Sequence, residues 1–99
     1  MTVSPGTVQL QNKNTAKLKN DVTVTISGIS GYCVGLTLQY DTGAPNNQWV
    51  RNFPTSAPYT VTLEGQPHGT ELWSTGTKVL YVKDGSNTVL KQANLVVTN

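Results

Sequence analysis

The clearest pattern along the chain is alternation. In residues 21–27, Val22, Val24 and Ile26 fall on one side and Thr23 and Thr25 on the other. A period of two marks a half-buried strand. The same period runs through residues 33–40, with Leu36, Leu38 and Tyr40 inward and Thr37 and Gln39 outward. It returns in residues 59–64, with Tyr59, Val61 and Leu63 on one face. Residues 7–11 alternate weakly and read as a first, edge strand, and residues 48–53 read as a short strand that Pro54 ends. Between these segments lie Gly28–Gly31, the loop Asp41-Thr-Gly-Ala-Pro-Asn-Asn47, and a long connection over residues 65–75 that holds Pro67, His68, Gly69 and Trp73. Residues 12–20 are polar and form a loop by composition.

The end of the chain carries the strongest local signal. Lys78-Val-Leu-Tyr-Val-Lys83 and the run ending in Leu95-Val-Val97 flank Asp84-Gly-Ser-Asn87. Two Val/Leu/Tyr-rich segments on either side of Asp-Gly predict a β-hairpin with a long last strand. The total is about seven antiparallel strands spaced roughly 8–14 residues apart, as in a β-sandwich. No alternation of strand and helix suggests a parallel sheet. At 99 residues, positions 1–99 form one domain.

The order of these motifs resembles immunoglobulin-like domains of tailed-phage virion proteins and bacterial surface proteins. The residues that carry it are Val22–Ile26, Leu36–Gly43, Tyr59–Leu63, Trp73–Thr77, Val79–Gly85 and Leu95–Val97. The resemblance covers most of the chain. It implies an immunoglobulin-like Greek-key β-sandwich and a display or binding module. The chain departs from antibody-type domains at one point. Cys33 is its only cysteine, so no core disulfide forms.

Composition narrows the class of function. Charged residues are 12% of the chain, and Thr, Asn, Gln and Ser carry the polar surface instead. A net charge of +2 makes no field that would gather nucleic acid or an anionic membrane. Weak self-repulsion tolerates close packing beside copies of the same chain, as in a symmetric array or homo-oligomer. Lys13, Lys17 and Lys19 read as a solvated loop. Residues 1–6 have neither a basic n-region nor an apolar h-region, so no signal peptide is expected. The setting the resemblance implies is a virion, folded in the host cytoplasm. The alternative is an extracellular or cell-surface position, if the domain is excised from a larger chain.

Candidate chemistry is sparse. Nucleophilic catalysis needs a nucleophile with a base in reach, and Cys33 with His68 is the main pairing. Neither residue sits in a nucleophile-elbow or cysteine-protease pattern. Asp41 and Asp84 each precede a turn and are explained by turn chemistry. One His and one Cys cannot make a transition-metal site, and calcium-loop spacing is missing. The expectation is a non-enzymatic module with no cofactor and no metal.

The aromatics are the informative minority. Tyr40, Tyr59 and Tyr81 fit inward positions, while Trp49 and Trp73 adjoin loops. Each Trp either caps an end of the sandwich or, beside amides such as Asn47, anchors a protein partner or stacks on a sugar. Trp49, Trp73, Asn47 and His68 are therefore the candidate partner- or glycan-binding residues. The leading expectation is a structural module that decorates a capsid or tail surface. The alternative is a carbohydrate-binding or adhesive module of a larger secreted or surface protein.

Overall fold

The computed structural model describes residues 1–11, 16–28, 35–43, 47–56 and 58–99. Among these there is no helix. Eight strands form two sheets: β1 (Thr2–Ser4), β2 (Thr7–Gln9), β3 (Val22–Ile26), β4 (Thr37–Asp41), β5 (Gln48–Asn52), β6 (Tyr59–Leu63), β7 (Gly76–Lys83) and β8 (Val89–Thr98). The smaller sheet has the order β1-β3-β6 and the larger β2-β8-β7-β4-β5. Each alternating segment became a strand, and the fold is all-β.

The start of the chain differs from expectation in two ways. The pattern predicts no strand at Thr2–Ser4, and the edge strand expected over residues 7–11 is shorter, Thr7–Gln9, and parallel to its neighbour. Pro5 and Gly6 separate the two, so β1 pairs antiparallel with β3 in one sheet while β2 pairs parallel with β8 in the other. Neither strand exceeds three residues, and three residues are too few for a period of two to reveal a change of sheet.

The core lies between the sheets and is built from the inward rows. Val22, Val24 and Ile26 of β3 face Val61 and Leu63 of β6 across the ladder, and all are buried. Leu36, Leu38 and Tyr40 meet Leu80 and Val82 of β7, and Leu95 and Val97 complete the layer from β8. The β-branched and Leu side chains fit the pleat, and burying each contributes roughly 1.5–3 kcal/mol.

The β7–β8 hairpin forms as expected, but its turn is not a tight two-residue Asp-Gly turn. Asp84 Oδ1 accepts the backbone N–H groups of Ser86 (2.8 Å) and Thr88 (3.0 Å), and the Asp84 N–H donates to the Thr88 carbonyl. The residue in the left-handed region is Asn87, at φ 64°. Asn tolerates that region nearly as well as Gly. The register shifts once, beside Lys83, to absorb the longer loop.

Tyr81 is a correction to its inward assignment. It lies opposite Gln39, between Leu80 and Val82, both of which are fully buried. Because side chains alternate, Tyr81 must point to the outer face of the larger sheet. The run Val79-Leu80-Tyr81-Val82 is apolar throughout, so period two gave it no phase.

The long connection after β6 is held by backbone contacts. Gly65 donates its N–H to Asp21 Oδ1 at 2.7 Å. A Cβ at Gly65 would lie 2.6 Å from the Asn20 backbone and 2.7 Å from the Leu18 carbonyl, so only glycine fits that crossing.

Candidate functional site

Two places on the β4–β5–β7 part of the larger sheet concentrate side chains of interest, one on each face. Their division follows from register. Tyr40 opposes Trp49 and Leu38 opposes Arg51, so these four share the inner row. Asp41 opposes Gln48, Gln39 opposes Val50 and Thr37 opposes Asn52, so these six share the outer row.

The inner row carries a buried polar cluster. The Tyr40 hydroxyl lies 2.7 Å and 2.6 Å from the two Glu71 carboxylate oxygens and donates to that carboxylate. Arg51 donates to Glu71 Oε2 from Nε at 2.9 Å and from Nη2 at 2.5 Å. Glu71 is 4% exposed and Arg51 40%, so the pair is lopsided: a submerged anion with a cation at the surface. Burial, and then the bond to Glu71, push the Tyr40 phenol well above its ordinary value of 10.0. Its bonds, to Tyr40 first, hold Arg51 more firmly protonated. The guanidinium also lies 5.9 Å from the Trp49 ring centroid, at the outer limit of a cation–π contact.

Trp73 completes this side. Its ring stacks on Tyr40 at 5.5 Å and 5°. Its backbone N–H donates to the Ala16 carbonyl, and the backbone N–H of the next residue, Ser74, donates to the Thr42 carbonyl. At 2% exposure the indole is core, and as a partner contact it is withdrawn. Trp49 is half-buried, and its Nε1 is enclosed with no hydrogen-bond partner. Asn47 acts through its backbone, whose carbonyl accepts the Thr42 N–H at 2.7 Å and closes the base of the β4–β5 loop. His68 is exposed and lines a polar recess of about 230 Å³ with Glu64, Thr70 and the outer side of the Arg51–Glu71 pair. The four candidates therefore do not form one site. Trp49 lies on β5 and Asn47 just before it, Trp73 is inside, and His68 lies on the Arg51 side of the edge.

The outer row carries an open groove of about 640 Å³, lined among others by Gln39, Asp41, Gln48, Val50, Tyr81 and Lys83. Val50 is 58% exposed, a large apolar side chain left to solvent. Gln39 of β4 separates it from Tyr81 on β7, and Asp41, Lys78 and Lys83 supply the charges around them. Exposed apolar and aromatic side chains set among amides and charges are what contact surfaces offer.

Two further carboxylates are engaged in turns. Asp41 Oδ1 accepts the Gly43 N–H, and Asp84 caps the hairpin. Among the described residues no three His, Cys, Asp or Glu side chains gather as metal ligands would. Cys33, and with it the Cys33–His68 pairing, lies outside the described residues, as does Lys13.

Sequence reasoning passed over Arg51 and Tyr81 as site residues and treated Glu71 only as one carboxylate among several. One faint signal existed for Glu71, an acid directly before Leu72-Trp73. Nothing local signals that Arg51 and Glu71, twenty residues apart, would meet.

Together these features define an all-β, two-sheet domain with an internally satisfied polar cluster and an exposed sheet face. Comparison with known proteins returns no match, whether to a family model, a curated protein or a solved structure.

Proposed function

We propose that this chain is a non-enzymatic binding module with an immunoglobulin-like Greek-key topology, and that it uses the outer face of the larger sheet to dock on an assembled protein surface. Two features support the topology: the division of β1 and β2 between the sheets, and repeated crossing from one sheet to the other between β3 and β7. The observation that carries the binding role is the groove, with Val50 and Tyr81 on either side of Gln39 in its lining. Aromatic and apolar anchors inside a polar rim are what protein interfaces use. The polar cluster of Tyr40, Arg51 and Glu71 is satisfied from within and contributes to the fold.

Virion decoration, on a capsid or tail, is the setting we favour. A neutral, amide-rich surface suits dense packing beside copies of itself. The carbohydrate-binding alternative needs an exposed indole, and it fits less well with Trp73 buried and the Trp49 Nε1 enclosed.

The test is rebinding. Virions assembled without the chain, from the gene cluster that encodes it, should take it up saturably, and Tyr81→Thr should weaken uptake at least tenfold. Failure to rebind overturns the virion reading. Specific binding across a broad glycan panel, lost on substituting Trp49, would put the carbohydrate reading in its place.

A further inference from the structure

We infer that β5 is a self-complementary edge through which two copies of this chain pair antiparallel, making one continuous sheet across a twofold axis at Val50. The inference stands apart from the partner reading above, because it rests on the edge of the sheet and not on its face.

β5 ends the larger sheet, with β4 on one side only. The bonds from the Phe53 N–H to the Leu36 carbonyl and from the Thr42 N–H to the Asn47 carbonyl fix which groups face β4. By antiparallel alternation, Asn47, Trp49, Arg51 and Phe53 bond to β4, while the N–H and C=O groups of Gln48, Val50 and Asn52 point away. Among the described residues these outward groups have no backbone partner. Edges that avoid pairing carry proline, a bulge or an inward-pointing charge. β5 has neither proline nor register shift. Its one charge, Arg51, is already paired with Glu71.

The sequence of the edge selects the occupant. Placing a second Gln48-Trp-Val-Arg-Asn52 antiparallel with Val50 opposite Val50 sets Gln48 opposite Asn52 and Trp49 opposite Arg51, twice over. Amide meets amide and indole meets guanidinium, with no like charges directly opposed. The outward groups of Gln48, Val50 and Asn52 would then form about six backbone bonds in register. The outer faces become continuous, which aligns two grooves side by side. A five-residue edge buries far less than a standard interface, so the dimer belongs to the weak class.

The test uses the intact chain in sedimentation velocity and in amide NMR, titrated from roughly 10 μM to 1 mM, which spans the weak range of association. Expected is a rise from monomer to dimer mass, with the largest amide shifts at Gln48, Val50 and Asn52. Val50→Lys should weaken association at least tenfold by placing two ammonium groups face to face. Val50→Pro should abolish it, since proline is tolerated on an edge whose N–H meets solvent. Should the proline variant fail to fold, the lysine variant decides. A chain that stays monomeric at the highest concentration overturns the inference, and so does a dimer that Val50→Lys leaves intact. Tyr81→Thr separates this pairing from the partner reading, because Tyr81 lies on β7, two strands in from the edge, and the variant should still dimerise whether or not it docks.

Discussion

On the inner row of the β4–β5 ladder, Tyr40, Trp49 and Arg51 are held by groups of the same chain. One residue away, on the outer row, Gln39, Gln48 and Val50 meet solvent. The same two strands build both rows, and the residues are interleaved. The row that looks like chemistry, with a phenol, a guanidinium and a carboxylate, is closed on itself. The row that looks bland is the available one. In a small sandwich a polar group near the core favours internal partners, because an unpaired one costs about 1–3 kcal/mol, and on this row the Trp49 Nε1 is the exception. Reactive side-chain types close to a core are therefore poor guides to function unless some of their bonding capacity is left open.

The contrast can be broken most forcefully from the inside. Trp73→Ala removes the ring stacked on Tyr40 and should cost about 3–5 kcal/mol in equilibrium unfolding. A loss under 1 kcal/mol would mean that the indole is not core. Leu38→Ala should cost about 2–4 kcal/mol by the same cavity argument.

Glu71→Ala comes next. It strips Arg51 and the Tyr40 hydroxyl of their shared acceptor, and about 2–4 kcal/mol should be lost, less than for a fully enclosed pair because Arg51 reaches water. Urea midpoints measure this. Arg51→Ala should be at least as damaging, since it leaves the carboxylate buried. Losses below about 0.5 kcal/mol for both would show that the pair contributes little to the fold.

Alkaline pH offers a milder probe. In the unfolded chain the Tyr40 phenol ionises near 10.0, and in the fold it resists ionisation because it is buried against Glu71. Below 10.0 the phenol is neutral in both states and stability does not change on its account. Above that value the unfolded chain ionises first, so stability falls as pH rises, by at most about 1.4 kcal/mol per pH unit. Tyr40→Phe should flatten that part of the slope between about pH 10 and 11.5. Identical slopes in the two proteins would remove Tyr40 from the account.

The smallest effect on stability belongs to the outer row. Tyr81→Thr keeps a strand-forming residue and should cost about 1 kcal/mol or less. Its consequence should appear in binding instead. A large loss of stability with unchanged binding would reverse the assignment of the two rows.

Much of the fold could be read from local pattern. Val22–Ile26, Leu36–Tyr40 and Tyr59–Leu63 alternate cleanly, and each lies in the ladder with its apolar members inward. The β7–β8 pairing followed from two β-rich runs around a turn. Tyr81 went astray because its neighbours are all apolar, and β1 went unread because three residues carry no period. The inner cluster was out of reach of pattern altogether. Glu71 sits in a connection with no periodicity, and its partners come from β4 and β5, thirty-one and twenty residues away.

The amino-acid sequence by itself determined an all-β chain, the faces of its regular strands and the terminal hairpin, because alternation and turn chemistry act between near neighbours. Only the tertiary structure decided that Trp73 is core, that Glu71 is buried between Tyr40 and Arg51, and that β5 lies open at the edge of the larger sheet. Those outcomes depend on which distant strands come together, and pairing between distant segments is set by the packing of the whole core.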